Sequence, residues 1–169
     1  PYYAGRIKER EERIRGQAKT NGVYISYANL VGSQDELVFD GQSMIVDKTG
    51  KIICRAEAFK EDLLTVDLDI EAKGLQRPDI VVVAKDLASK TRPTLEKKEV
   101  KPPDSVPEIY QALLLGLKDY VTKNGFGKVV VGLSGGIDSA LVAALAVDAL
   151  GKNNAIGVFM PSRYSSKIS

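Results

Sequence analysis

The sequence predicts an α/β protein built of two unlike parts with a linker between them. Three observations carry that expectation: a β-rich first part opened by one charged helix, a mixed-charge proline segment after it, and a strand–glycine turn–helix unit near the end. That unit begins with Lys128-Val129-Val130-Val131, a β-branched run of the kind that forms a buried parallel strand. It continues through Gly132-Leu133-Ser134-Gly135-Gly136-Ile137-Asp138-Ser139 into the helix formers Ala140 to Leu150, closed by Gly151.

In the first part, residues 6–20 are charge-dense, with Ile7, Ile14 and Ala18 spaced roughly one or two turns apart, as on a helix with a narrow apolar stripe. Val23 to Ala28 alternates toward a strand. Gly41 to Val46, the turn Asp47-Lys48-Thr49-Gly50 and Lys51 to Arg55 read as a β-hairpin, and Leu63 to Leu68 as a further strand. Strands with one helix fit the tail of an α/β sandwich.

From about Lys85 to Pro107 charges of both signs alternate, and four of the chain's seven prolines (Pro93, Pro102, Pro103, Pro107) fall here. Such a segment buries too little apolar surface to offset its ordering entropy, so it reads as a linker. Ser105 with Glu108 forms a capping-box pattern for the next helix. That helix is expected to carry Ile109, Leu113, Leu117 and Tyr120 on one face and to end at Asn124-Gly125. The expected layout is residues 1–84, a linker over 85–104, and a second part over 105–169.

A strand, glycine turn and helix in succession aim several backbone N–H groups and a positive helix end at one point, which suits an anion. Gly135 and Gly136 let the backbone approach phosphate oxygens without a Cβ in the way. Ser134 and Ser139 add hydroxyls, and Asp138 a carboxylate able to hold Mg²⁺ beside phosphates. The expectation is a nucleotide site. It has neither the Lys-Ser/Thr pair of a Walker A loop nor the glycine spacing of a dinucleotide fingerprint.

Ser134-Gly135-Gly136-Ile137-Asp138-Ser139 instead resembles the PP-loop of the ATP pyrophosphatases. Glu108 to Tyr120 before it, and Gly157-Val158-Phe159-Met160-Pro161-Ser162-Arg163-Tyr164-Ser165-Ser166 after it, resemble the start of the synthetase domain in the glutamine-dependent NAD(+) synthetase family. Asn29-Leu30-Val31-Gly32 and Asp35-Glu36-Leu37-Val38-Phe39-Asp40-Gly41-Gln42-Ser43 resemble the late part of that family's nitrilase-type glutaminase domain. Two unrelated modules in this order are more specific than either motif alone, and the resemblance covers essentially the whole chain. It implies the C-terminal part of a nitrilase-like α-β-β-α sandwich, then the start of a Rossmann-like parallel-sheet PP-loop domain.

The resemblance also implies chemistry. The family amidates deamido-NAD to NAD through an adenylated intermediate, using ATP, Mg²⁺ and ammonia released from L-glutamine. On that reading Gly132, Leu133, Ser134, Gly135, Gly136, Ile137, Asp138 and Ser139 bind ATP, and Asp138 holds the Mg²⁺. Met160 is either a wall of the adenine pocket or ordinary core. The family's glutamine-binding lysine falls on Arg6, which keeps the cation but changes a point charge into a planar fork. The glutaminase Glu, Lys and Cys match no position here and would precede Pro1, so no catalytic residue is expected in this chain. Near the end, Lys167-Ile168 stands where the family commonly has a histidine. The expectation is an internal piece of a longer, cytoplasmic, homo-oligomeric enzyme, inactive when isolated.

Two alternatives stay open: another PP-loop ligase, or a non-catalytic fragment of two half-domains. GMP and asparagine synthetases carry other glutaminase modules, against the nitrilase-like first part. Composition excludes more than it selects. A net charge of +2 argues for neither nucleic acid nor a membrane surface, and no apolar run approaches a membrane span. One cysteine rules out an internal disulfide and fits a reducing compartment. The absence of histidine excludes a Ser-His-Asp triad and any His-containing zinc site within these residues. Cys54 reads as strand packing, Asp35-Glu36 and Glu61-Asp62 as solvated pairs, and Tyr2 and Tyr3 as packing residues.

Overall fold

A computed structural model describes residues 1–70, 93–95, 98 and 100–161. Its elements are α1 (Arg6–Asn21), β1 (Ile25–Tyr27), β2 (Val31–Gln34), β3 (Leu37–Asp40), β4 (Met44–Val46), β5 (Ile52–Arg55), α2 (Ser105–Lys123), β6 (Val129–Leu133), α3 (Ile137–Leu150) and β7 (Ala155–Phe159). No helix among the described residues is long and apolar enough to cross a membrane.

The stripe on α1 does what its spacing dictates: Ile7, Ile14 and Ala18 are buried, Arg6, Arg10 and Glu11 are partly covered, and most of the remaining helix faces solvent. Gly22 ends the helix in the left-handed region (φ 61°), and both it and Val23 donate to Ala18 O. Strands β1, β4 and β5 form one antiparallel sheet in the order β1-β4-β5. Ile14 and Ala18 of α1 meet Met44 and Val46 of β4, with Ile25, Tyr27 and Ile52 packed around them. Burying each large side chain contributes roughly 2 kcal/mol before conformational entropy is counted. The β4–β5 turn is tied by its own aspartate: Asp47 accepts from Thr49 N, Thr49 Oγ1 and Lys51 N at 2.7–2.9 Å. Arg15 of α1 reaches across to Gly50 O at 2.8 Å.

A polar node closes the first half. Asp40, fully buried at the end of β3, accepts from Arg10 Nη2 at 2.6 Å and from Asn29 Nδ2 at 3.2 Å. Arg10 Nη1 and Asn29 Nδ2 also reach Gly41 O, at 3.1 and 2.7 Å. Gly41 sits at φ 66°, and a Cβ there would fall 2.5 Å from Val31 Cγ2, so only glycine fits. Gln42 is likewise buried and takes Arg55 Nη1 on its Oε1, while Arg55 Nη2 pairs with Glu11 of α1.

In the second half, β6 and β7 pair in parallel, Val129 opposite Ala155 through Leu133 opposite Phe159, with α3 as the crossover. Helix α2 packs on α3, where Tyr110 Oη donates to Asp148 at 2.6 Å.

Several expectations need correction. Leu63 to Leu68 forms no strand: no ladder partner runs beside it among the described residues, and Leu63 is 84% exposed. The capping box fails because α2 begins at Ser105 itself, with Asp104 as N-cap and no side-chain cap bond. Glu108 turns inward instead, buried near Tyr2; burial first, and this carboxylate second, push the Tyr2 phenol up. On α2 the buried positions are Glu108, Ala112 and Val121, whereas Ile109, Leu113 and Tyr120 are about half exposed. The docking partner, not the hydrophobic count, decides which face is covered. Tyr2 does pack, edge-on to Phe59 at 5.4 Å, but Tyr3 is exposed and donates to Glu9. The β2–β3 hairpin was not anticipated, since its turn is Asp35-Glu36, with Asp35 at φ 51°, and carries no glycine. Cys54 is buried in β5, as expected of a packing thiol, and burial raises its pKa. Of the linker over 85–104, residues 85–92, 96, 97 and 99 lie outside the described residues. The described remainder forms no helix or strand.

Removing the cation of the node leaves Asp40 buried without its partner. Arg10→Met is expected to lower unfolding free energy by about 3 kcal/mol, read from urea denaturation midpoints. Hydrogen bonds from Thr49, then Lys51, hold the Asp47 carboxyl below the usual aspartate value of 3.8. The turn's stabilisation is therefore present at neutral pH and lost only as pH falls through that depressed value. NMR titration of the Asp47 carboxyl carbon should give a midpoint below 3.8.

Candidate nucleotide site

Strand β6 stops at Leu133 and α3 starts at Ile137, so Ser134-Gly135-Gly136 is the whole turn between them. Gly135 takes φ 81°, which reverses the chain, and Gly136 returns to extended geometry as the N-cap of α3. No side chain caps the helix, and the first intrahelical bond is Ala140 N to Gly136 O at 3.2 Å. The N–H groups of the first turn thus have no carbonyl behind them, and the helix dipole makes this end positive.

The two serines meet across the turn. Ser134 Oγ donates to Ser139 Oγ at 3.1 Å, Ser134 N donates to the same oxygen at 3.2 Å, and Ser139 Oγ donates to Gly136 O at 3.0 Å. Gly136 N lies 3.4 Å from Ser134 Oγ. The hydroxyls therefore organise the loop from inside, in addition to any contact they make with a bound anion. Gly132, Ser134, Gly135, Gly136, Ile137 and Asp138 are exposed, Leu133 and Ser139 partly buried. Asp138 stands in the first turn of α3, and among the described residues no group of three or more His, Cys, Asp or Glu could hold a metal.

Two further features shape the mouth. Met160 follows the last residue of β7, is 73% exposed, and its Cε lies 3.8 Å from where a Cβ on Gly132 would be. It sits at the carboxyl ends of both parallel strands, where open α/β sheets bind ligands. A Cβ on Gly157 would fall 2.8 Å from Leu133 Cδ1, so the glycine lets Leu133 lie over β7 just before the turn. The Ser162–Ser166 run and Lys167-Ile168 lie outside the described residues.

Arg6 occupies a separate place. It opens α1, with Nη1 3.0 Å from Tyr3 Oη and 3.5 Å from Glu9, and lines a cleft of about 390 Å³. Arg10, Arg13, Tyr27, Asn29 and Asp40 share that cleft. Sequence reasoning noticed Asp40-Gly41-Gln42-Ser43 only as part of a resemblance. No local pattern marks this cluster, because the partner that meets buried Asp40 is Arg10, 30 residues away.

Comparison with known proteins bears on both halves. A carbon-nitrogen hydrolase family model matches residues 8–77, and an NAD synthase model matches residues 109–169. The glutamine-dependent NAD(+) synthetase of Aquifex aeolicus is 46% identical over all of this chain, and that of Thermotoga maritima 42%. Over all of its length the chain is similar to glutamine-dependent NAD(+) synthetases. It spans about a third of those relatives, 32% of each. The solved structure of the Acinetobacter baumannii synthetase in complex with ADP superposes with a TM-score of 0.76 at 36% identity, over 99% of this chain and 28% of that one. A Cytophaga hutchinsonii synthetase, 17% identical with a TM-score of 0.63 over 98% of this chain and 30% of that one, shares the fold. Two matched modules and the α/β content agree with a layout of two half-domains.

The backbone of the turn makes a paired prediction. Gly135→Ala, forced to φ 81°, should cost about 1–2 kcal/mol. Gly136→Ala has an ordinary φ of −86°, and its Cβ would meet Ser134 Oγ at 3.5 Å, so it should be accepted within roughly 0.5 kcal/mol. Denaturant midpoints of the two variants check the difference.

Proposed function

We propose that this chain serves the ATP-dependent amidation of deamido-NAD to NAD, with ammonia drawn from L-glutamine by a nitrilase-type module. The observation that carries the reading is the Ser134–Ser139 turn at the positive end of α3, in a chain whose first half matches a carbon-nitrogen hydrolase model. In this reading residues 1–84 are the C-terminal part of an α-β-β-α sandwich, 85–104 a linker, and 105–169 the start of a Rossmann-like PP-loop domain. The complete enzyme is a cytoplasmic homo-oligomer. No residue of this chain takes a catalytic role in glutamine hydrolysis; Arg6 contacts glutamine from the cleft at the start of α1.

The chemistry follows from charge. The nicotinate carboxylate attacks the α-phosphorus of ATP, the bond to the β-phosphate breaks, and pyrophosphate departs carrying the developing negative charge. N–H groups of Gly135, Gly136 and the first turn of α3 stand ready to receive it, and Ser134 with Ser139 keeps them aimed. Ammonia then displaces AMP from the adenylated intermediate, giving the amide. Met160 forms a wall for the adenine. A single exposed carboxylate, Asp138, fits a Mg²⁺ ion brought in by the nucleotide, because Mg²⁺ is commonly held by one or two carboxylates plus phosphates. Such an ion supplies charge neutralisation at the phosphates.

Asp138→Asn, placed in a complete enzyme carrying this segment, should slow adenylation at least about tenfold, or about 1.4 kcal/mol of transition-state stabilisation. Pyrophosphate release reports that step, and glutaminase turnover measured separately should stay within about twofold. Equal loss of both would point to misfolding and against the assignment.

A further inference from the structure

Ser33 sits in β2 opposite Val38 of β3, and it is 3% exposed although, among the described residues, β3 is the only strand paired with β2. Its N–H and C=O both point away from the ladder, and an unpaired backbone pair at a buried edge is costly. Helix α2 satisfies both. Ser33 N donates to Asp119 Oδ2 at 2.7 Å, Lys123 Nζ donates to Ser33 O at 2.6 Å, and Lys123 Nζ donates to Asp119 Oδ2 at 2.9 Å.

We propose that Asp119 and Lys123 form a clamp that substitutes for a missing neighbouring strand and docks α2 on the nitrilase-like half. The i, i+4 spacing stacks the two side chains on one helix face, acceptor toward the peptide N–H and donor toward the C=O. Both bonds are charge-assisted, the stronger kind. Gly32 leaves the room: at φ 134°, a Cβ on it would lie 3.2 Å from Asp119 Oδ2 and 3.6 Å from Lys123 Nζ. One turn earlier, Gly116 faces Val38, where an added Cβ would sit 3.5 Å from Cγ2.

Ser33 lies within the carbon-nitrogen hydrolase match and Asp119 and Lys123 within the NAD synthase match, so the clamp joins the two modules. It acts at the C-terminal end of α2, five residues (124–128) before β6, the strand that leads into the Ser134–Ser139 turn. The clamp therefore fixes where that turn sits relative to the first half, whatever reaction the turn serves.

Amide hydrogen exchange at Ser33 tests it. In the unmodified protein that amide should be protected to a degree comparable with Ile45 and Cys54 in the neighbouring sheet; exchange at the unprotected rate overturns the proposal. Asp119→Ala should lower Ser33 protection at least about tenfold and leave Ile45 and Cys54 unchanged. The reversed pair, Asp119→Lys with Lys123→Asp, keeps the intrahelical ion pair but presents donor to donor and acceptor to acceptor, so it should lose the protection equally. Retained protection in the reversed pair would mean that only an ordinary helix-surface ion pair exists, and it would overturn the clamp. Ser33→Ala keeps the peptide group and should leave protection as it was; its loss would assign the docking to the hydroxyl instead.

Discussion

Arg10 and Asp40 are both nearly buried, and their 2.6 Å contact is the constraint around which the first half is arranged. A charge pair taken from water is seldom a net source of stability, but once made it tolerates little displacement. It fixes the rotation of α1 against the end of β3, and Asn29 and the Gly41 carbonyl complete the set of partners. From that point the chain is committed. Gly41 must turn left-handed, Gln42 is carried inside at φ 55°, and Arg55 is drawn to both Gln42 and Glu11. The apolar contacts among Ile14, Ala18, Met44 and Val46 supply the cohesion, and the polar node selects one orientation for it.

The second half works by different means. Its site is made almost wholly of backbone supplied within a short stretch of chain, and its two serines bond to each other and to the turn. Nothing distant is needed to shape the turn itself. Placement is a separate matter, because it depends on α2, which is held from one side by Tyr110 against α3 and from the other by the β2 edge.

How far the sequence could be read follows from that contrast. The strand–turn–helix unit was legible because glycines, β-branched residues and helix formers act locally; its limits at Leu133 and Ile137 agree with the pattern. Helix α1 was legible for the same reason, since its apolar stripe meets a single partner. The face of α2 was not. Four large apolar residues outweigh Glu108, Ala112 and Val121 in any count, yet the side that packs is the one that fits Tyr2 and the β2–β3 hairpin. The same rule defeated Leu63 to Leu68, which has strand composition but joins no ladder among the described residues, and favoured Val31 to Asp40, which pairs across a turn without glycine. Arg10 and Asp40, thirty residues apart, gave no local sign of meeting.

Sequence separation also sets an order of assembly. Arg10 finds Asp40 across 30 residues, and the β4–β5 hairpin closes over fewer still, whereas Ser33 and Asp119 are 86 residues apart. Chain closure grows costlier with span, though slowly, and long-range contacts form late when they reward nothing until both sides are built. During synthesis the first half can collapse while α2 is still unmade, leaving the outward edge of β2 open for a time. That interval exposes an unpaired strand to neighbouring nascent chains. The short length of β2 and the charges at Asp35 and Glu36 beside it reduce the hazard until the helix arrives.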